Sequence, residues 1–277
     1  MKDIIFYTVI GGGENFRESA TLGVDAIIRK NPNAKIKVFD FDNLFKHEHA
    51  ETVDCTDQLD KTKSNIGYLY WRQKYVKALE LESEYGVYWD CDTVLINDYF
   101  DDIFDGLDGK IGSAQHWWTP TFDHFYRVAI EPSAAGPFVN TLKELGARSH
   151  NSYYAGGVFM FKNDEKTRSL FENVVYEYDR FNNQYDGKIS CVTDEYFFSA
   201  ICKDHLIDLG GSVNVCPKGN GISTDLKVED GELLGKNCYD SLYQPVIFIH
   251  CNLHKGDPLD NNYSDEVKQI IKENYKI

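Results

Sequence analysis

No stretch of the chain approaches the ~20 consecutive apolar residues that a membrane-spanning helix needs. Nor is there a cluster of basic residues to grip a phosphate backbone. Lysine and arginine together number 29 against 44 aspartates and glutamates, a formal net charge of −15 at pH 7. A surface so acidic repels nucleic acid, although a bound divalent cation inverts the local field for a small phosphate-bearing ligand. There is no Cys-x-x-Cys pair: the seven cysteines (Cys55, Cys91, Cys191, Cys202, Cys216, Cys238, Cys251) are odd in number and widely scattered. That pattern argues against structural zinc or a disulfide framework, and for free thiols in a reducing cytoplasm. The opening MKDIIFYTVIGGG lacks the basic n-region, long apolar run and small-residue cleavage site of a signal peptide. Internal repeats, low-complexity linkers and a clean domain boundary are missing as well. What is present is an ordinary globular composition, 42% hydrophobic and 26% charged, over 277 residues. That length buries a core without staples. The expectation is a soluble, cytoplasmic protein built as one unit over residues 1–277.

Residues 4–10 are apolar apart from Thr8, and 16–30 carry a helix that Pro32 and Asn33 break. Residues 35–39 alternate as a second strand. Strand, helix and strand predict a β-α-β unit, hence a parallel sheet with its ligand at the carboxyl ends of the strands. The clearest helix spans 66–81, with Ile66, Leu69, Tyr70, Val76 and Leu79 on one side and Gly86 beyond its end. Residues 87–89, 110–114, 156–161 and 246–249 read as strands. Residues 165–178, 194–202 and 264–275 read as helices, and the aromatic, proline-interrupted stretch 117–137 as irregular.

The chemistry concentrates at Asp90-Cys91-Asp92, directly after an apolar strand. Carboxylates at i and i+2 share one side of an extended chain. They offer hard oxygen ligands to Mg²⁺ or Mn²⁺, with a diphosphate completing the shell. Asp40-Phe41-Asp42 also follows an apolar strand, but without the long helix, glycine and Val-Tyr-Trp that precede Asp90. The same string fits an aspartyl-phosphate hydrolase, with Asp90 as nucleophile and Asp92 as general acid. That arrangement normally begins with this strand and continues to a late acidic metal pair, and neither holds here. Asp194-Glu195 opens a helix whose dipole favours acids. Gly156-Gly157 lets backbone approach a ligand closely. His250 closes a late apolar strand, 246–249. The Arg72 guanidinium suits sugar hydroxyls or phosphate. Trp117 and Trp118 are adjacent, and neighbours on an extended chain point oppositely, so at most one indole faces any given ligand. Lys268, Lys272 and Lys276, opposite Val267, Ile270 and Ile271, mark a packed terminal helix with at most weak attraction to an anionic membrane.

Several strings then follow in order: Trp71-Arg72-Gln73-Lys74, Asp90-Cys91-Asp92, Gln115-His116-Trp117-Trp118, Tyr153-Tyr154-Ala155-Gly156-Gly157-Val158-Phe159, and Thr193-Asp194-Glu195-Tyr196-Phe197-Phe198. In this order the chain resembles a retaining glycosyltransferase of the GT-A nucleotide-sugar fold. It shares features with the blood-group A/B and α-1,3-galactosyltransferase family and with the glycogenin-like and bacterial lipooligosaccharide galactosyltransferase family. The resemblance implies an α/β fold with a mixed, mostly parallel central sheet flanked by helices. It implies a nucleotide-sugar half over about residues 1–115 and an acceptor half over about 116–277, closed by a docking helix. The implied reaction moves a hexose of Gal or Glc type from a UDP-sugar to a hydroxyl of a glycan, with Mn²⁺ or Mg²⁺. Asp90, Asp92 and His250 would hold the metal, with His254 competing for the third place. Thr8, Arg72, Asp90, Gly156, Gly157 and Lys255 would contact the donor, Lys255 neutralising its diphosphate. Asp194 would take the sugar hydroxyls and Glu195 the reacting face, as nucleophile or oxocarbenium stabiliser; the glycogenin-like pattern exchanges the two. Trp117 and Trp118 would face the acceptor. Two departures stand out: Ala155 occupies the place of an asparagine in the glycogenin-like pattern, and the His250-to-Lys255 interval is one residue short.

Overall fold

A computed structural model of the chain describes residues 2–59, 70–116, 120–123, 132–184, 193–215, 225–236, 240–250 and 264–275. Strands β1 (Ile4–Ile10) and β2 (Lys35–Asp40), joined by helix α1 (Glu14–Lys30), pair in parallel with Thr8 opposite Val38. The β-α-β pattern in the sequence predicts this unit. The chain continues through β3 (Glu51–Asp54), α2 (Gln73–Ala78), β4 (Tyr85–Trp89), β5 (Thr93–Leu95), α3 (Phe100–Gly106), β6 (Ile111–Gln115) and α4 (Pro132–Glu144). Then come β7 (Tyr154–Lys162), α5 (Glu165–Gln184), α6 (Asp194–Cys202) and β8 (Leu206–Asp208). The last elements are β9 (Asp225–Glu229), β10 (Glu232–Lys236), β11 (Gln244–Pro245), β12 (Phe248–His250) and α7 (Asp265–Tyr275). Seven strands form the central sheet in the order β3-β2-β1-β4-β7-β6-β8. Strand β7 runs antiparallel to β4 and β6, and the other neighbours are parallel.

Both faces of this sheet are covered, so its strands are apolar almost throughout. Successive side chains alternate between two cores. Phe6, Val87, Val158 and Met160 join Val24 and Ile27 of α1 on one side. Tyr7, Tyr88, Phe159 and Phe161 join Tyr75, Phe171 and Phe198 on the other. This second core is mostly aromatic, with Tyr88 stacked on Phe159 at 5.0 Å and Tyr75 on Phe159 at 5.6 Å.

Some elements differ from the sequence reading. The helix foreseen over 66–81 is interrupted: Tyr70 and Trp71 are helical, Arg72 is a turn, and α2 starts at Gln73, while 60–69 lie outside the described residues. The stretch 117–137, read as irregular, contains the start of α4, with Pro137 inside the helix. A proline there removes one N–H from the helix ladder, and its carbonyl accepts the Thr141 hydroxyl at 3.0 Å. The β9–β10 hairpin went unread, although its Asp230-Gly231 turn has positive φ at both residues (51° and 80°). That is the type I′ geometry that Asp-Gly favours. At the carboxyl end, α7 buries Val267 and Ile271 in the first core. Arg29 at the end of α1 donates to the carbonyls of Glu273 (3.3 Å) and Asn274 (2.8 Å), tying off the last turn of α7. Lys272 is exposed, and Lys276 lies outside the described residues. Cys55, Cys91 and Cys202 are free and buried. Among the described residues no helix is long and apolar enough to cross a membrane.

Helix α1 approaches the sheet closely at Gly23, where a Cβ would come within 2.3 Å of the Trp89 ring. Trp89 is fully buried and immediately precedes Asp90, so this contact fixes the end of β4. Helix propensity favours alanine over glycine by ~1 kcal/mol, whereas overpacking a rigid core costs ~1–3 kcal/mol. Gly23→Ala is therefore expected to destabilise the protein, read as a lower urea midpoint at unchanged m-value; a stabilised variant would show that α1 is free to shift.

Candidate active site

Asp90 and Asp92 are brought together by a turn. The Thr93 N–H donates to the Asp90 carbonyl at 2.9 Å, and its hydroxyl to the same oxygen at 2.8 Å. The extended i, i+2 geometry foreseen from the sequence is thus replaced by a closed four-residue bend, since the strand ends at Trp89. Beyond the bend, β5 pairs antiparallel with β12, setting His250 opposite Thr93. This short ladder carries the imidazole to the two acids: Nε2 of His250 lies 3.1 Å from Asp92 Oδ1. One ligand atom from each of Asp90, Asp92 and His250 falls within 4.8 Å of the others. The other Asp-x-Asp is of a different kind. Asp40 is fully buried, and its carboxylate accepts the backbone N–H groups of Asp42, Leu44 and Phe45 at 2.6–2.9 Å. It braces its own loop.

The electrostatics follow from burial. Asp90 is raised above the usual carboxylate range by desolvation, a rise reinforced by Asp92 and opposed by Lys74, His250 and the Tyr88 hydroxyl, which donates to Oδ1 at 2.5 Å. Burial works against the charge on His250, yet Asp92, Asp90 and Glu195 outweigh it and lift its pKa to about 9. A proton on His250 thus does part of what a cation between these acids would do.

A second cluster adjoins the first. Asp194 and Glu195 open α6, where the helix dipole favours them. Asp194 Oδ2 is 2.9 Å from Lys74 Nζ and accepts the Tyr75 hydroxyl at 2.8 Å. Lys74 also donates to the Gly156 carbonyl at 3.0 Å. Burial alone would lower the Lys74 pKa, but Asp194, Asp90 and Glu195 raise it, so the ammonium stays charged. Glu195 accepts the Gly156 N–H (2.7 Å) and the Tyr153 hydroxyl (2.9 Å). Its pKa is raised by desolvation and by Asp194. The two clusters meet at neighbouring glycines of β7. A Cβ on Gly156 would lie 2.9 Å from Glu195 Cγ and 3.1 Å from Lys74 Nζ; one on Gly157 would lie 3.0 Å from Asp90 Oδ2 and 3.1 Å from His250 Nδ1. A register shift between β6 and β7 at Ser113/Gln115 makes room for this, with the Ser113 hydroxyl 2.7 Å from the Ala155 carbonyl. Such bulges re-aim a strand next to a site.

No family model matches the sequence, and no curated protein matches it either. Solved structures do. The chain is similar to the galactosyltransferase LgtC in complex with donor and acceptor sugar analogues, at a TM-score of 0.56 and 13% identity over 98% of this chain and 95% of that one. It is also similar to mouse xyloside xylosyltransferase 1 in its apo form (0.51, 11%, over 91% and 98%). A third likeness is to the WbbM bifunctional glycosyltransferase (0.52, 12%, over 77% and 40%). The chain has the GT-A fold.

Within this GT-A fold the two clusters sit at the carboxyl end of β4, where an open α/β sheet holds its ligand. A cavity of 650 Å³ lined by Lys2, Ile4, Lys35 and Asp98 lies instead at the amino ends of β1 and β2, away from them. Arg72, assigned to the donor by resemblance, lies 2.9 Å from Asp179 of α5. Lys74, buried on α2, supplies the cation beside Asp194. Thr8 is fully buried in β1, its hydroxyl without a partner among the described residues. Trp117, Trp118, His254 and Lys255 lie outside the described residues. The sequence reading missed Lys74, Tyr75, Tyr88 and Tyr153 as site residues. Only Lys74 carried a signal, as a charged residue one turn beyond Tyr70 on a helix side that must be buried.

Two outcomes follow from these charges. His250 must lose its proton to bind a metal, so Mn²⁺ affinity is expected to rise about tenfold per pH unit up to about 9. The metal-free protein should lose stability over the window from the ordinary histidine pKa of 6.5 to about 9, because the folded state gives up a proton that it binds more tightly than the unfolded chain. Calorimetric titration at several pH values checks the first outcome, and a pH-independent affinity would remove His250 from the metal site. Lys74→Met leaves Asp194 buried without its ion partner, a loss of ~3–5 kcal/mol measurable by urea unfolding; a loss below ~1 kcal/mol would show the pair to be solvated.

Proposed function

We propose that the protein is a divalent-metal-dependent, retaining glycosyltransferase that moves a hexose from a UDP-sugar to a hydroxyl of a glycan. The observation that carries this reading is the meeting of Asp90, Asp92 and His250 at the end of β4 in a GT-A fold. Two carboxylates and an imidazole suit Mn²⁺, and the proton that His250 retains to about 9 marks a place where positive charge is needed. Asp90, Asp92 and His250 would hold the ion. When bound, it supplies Lewis-acid neutralisation of the charge left on departing UDP.

The chain's own residues do the rest. Gly156 and Gly157 leave room for the hexose against the backbone of β7. Asp194, fixed between Lys74 and Tyr75, takes sugar hydroxyls, and Glu195 supports the positive charge that develops at the anomeric carbon. The hydrogen bonds from Tyr153 and the Gly156 N–H hold Glu195 in one orientation, so no reorganisation is needed at the moment of reaction. Lys74 keeps the two acids close without mutual repulsion.

The test is UDP-hexose turnover, with and without a saccharide acceptor, in Mn²⁺. Asp92→Asn is expected to abolish turnover and Mn²⁺-dependent UDP binding with the fold intact. Glu195→Gln should lower kcat ~10²-fold or more, the scale of losing one stabilising group, while KM changes little. Full activity in excess chelator would sink the metal reading. Binding of UDP-hexose with neither hydrolysis nor transfer would leave a sugar-nucleotide binding protein instead.

A further inference from the structure

Asn214 lies between β8 and β9, outside every residue set assigned so far. Its backbone is pinned beside β12: the next residue, Val215, donates its N–H to the Phe248 carbonyl (2.9 Å) and accepts the His250 N–H (2.7 Å). The flanking Val213 and Val215 are buried in the apolar core, and Asn214 itself is only 2% exposed. Its carboxamide is nonetheless unsatisfied. Neither Oδ1 nor Nδ2 has a hydrogen-bond partner among the described residues, and the same holds for Nδ1 of His250. Buried polar groups left without partners are costly, and nearly all native ones are paired.

Two of these unpartnered atoms, Asn214 Nδ2 and His250 Nδ1, face one place. The position that a Cβ on Gly157 would occupy is 3.2 Å from Asn214 Nδ2, 3.1 Å from His250 Nδ1 and 3.0 Å from Asp90 Oδ2. Only the lack of a side chain at Gly157 keeps that volume open. A donor, an imidazole nitrogen and a carboxylate oxygen around a small space match an oxygen that is itself bound to a metal, either of a phosphate or of a water in the ion's shell. Among the described residues the amide makes no hydrogen bond to the scaffold.

We infer that Asn214 is a binding residue of the donor site, its carboxamide hydrogen-bonding an oxygen of the cation–diphosphate assembly held by Asp90, Asp92 and His250. This rests on the function proposed above. Asn214→Ala and Asn214→Val are measured beside the wild type and Asp92→Asn, by thermal unfolding without ligand and by calorimetric titration with Mn²⁺ alone, UDP alone and both. The expected result is an unfolding temperature unchanged or raised in the metal-free variants, together with at least about tenfold weaker binding of UDP with Mn²⁺. Loss already present with Mn²⁺ alone assigns the contact to a metal-bound water; loss that appears only with UDP assigns it to phosphate. Wild-type affinity in both variants overturns the inference alone. Weaker binding accompanied by a lowered unfolding temperature in both variants also overturns it, because Asn214 would then belong to the scaffold. Failure of the wild type to bind UDP with Mn²⁺ overturns the proposed function, and this inference with it.

Discussion

The carboxyl groups of Asp90, Asp194 and Glu195 converge on the Gly156–Gly157 backbone with Asp92 beside them, and among the described residues Lys74 and His250 are the cations set against them. Charge of one sign does not gather in a protein interior unless something compensates it. Among the described residues, two cations stand against four acids. Lys74 serves the Asp194 side, and the His250 proton serves the Asp92 side only while pH stays below about 9. An imidazole that has given up its proton to become a ligand leaves the acids more negative still, and a dication restores the balance. The functional reading grows from this deficit more than from any one motif, because an Asp-x-Asp whose acids are saturated by backbone, as at Asp40, creates no such demand.

The abundance of tyrosine and phenylalanine has its explanation in the same place. The core on one face of the sheet is aromatic, and its tyrosines end in hydroxyls that reach the site. Tyr88 donates to Asp90, Tyr75 to Asp194 and Tyr153 to Glu195, while Tyr7 donates to the carbonyl of Lys74. A buried tyrosine contributes a large apolar area and one directed donor, and it adds no charge. Burial raises the pKa of all four phenols, so they remain donors throughout the physiological range. One layer therefore both packs the sheet and orients three of the four acids, which couples the rigidity of the core to the geometry of the site.

The site was legible in the sequence where polar residues end an apolar strand. Asp90, Asp92 and His250 each follow such a run, and Asp194-Glu195 begins a helix with a clear apolar pattern; the structure places all five together. Their convergence was not legible, because it depends on a bend at 90–93 and on a ladder between β5 and β12 of three residues each, too short to leave a periodic signal. Arg72 and Lys74 lie two positions apart, the first paired with Asp179 and the second with Asp194, a division of partners that helical spacing alone does not specify. In the fold, the β-α-β start and the long helices were visible in hydrophobic spacing. The β9–β10 hairpin was announced by Asp230-Gly231, a dipeptide whose turn chemistry outweighs the weak alternation around it.

Departures from local sequence rules are informative when they cluster, and the glycines of β7 sharpen this point. Gly12, Gly13 and Gly231 have positive φ and are needed for their backbone conformation, but Gly156 and Gly157 are not among the glycines of that kind. Any residue could adopt their backbone. Glycine weakens a strand interior, so its presence twice in succession, opposite a register shift, calls for a reason other than conformation. The reason supplied by the structure is space: a methyl group at either position would press on Glu195 and Lys74, or on Asp90, His250 and Asn214. The protein keeps clear the ground between a buried lysine, three acids, an imidazole and an unsatisfied amide. A chain selected for stability alone would fill that ground, so its openness is best understood as room for a ligand that brings its own charge.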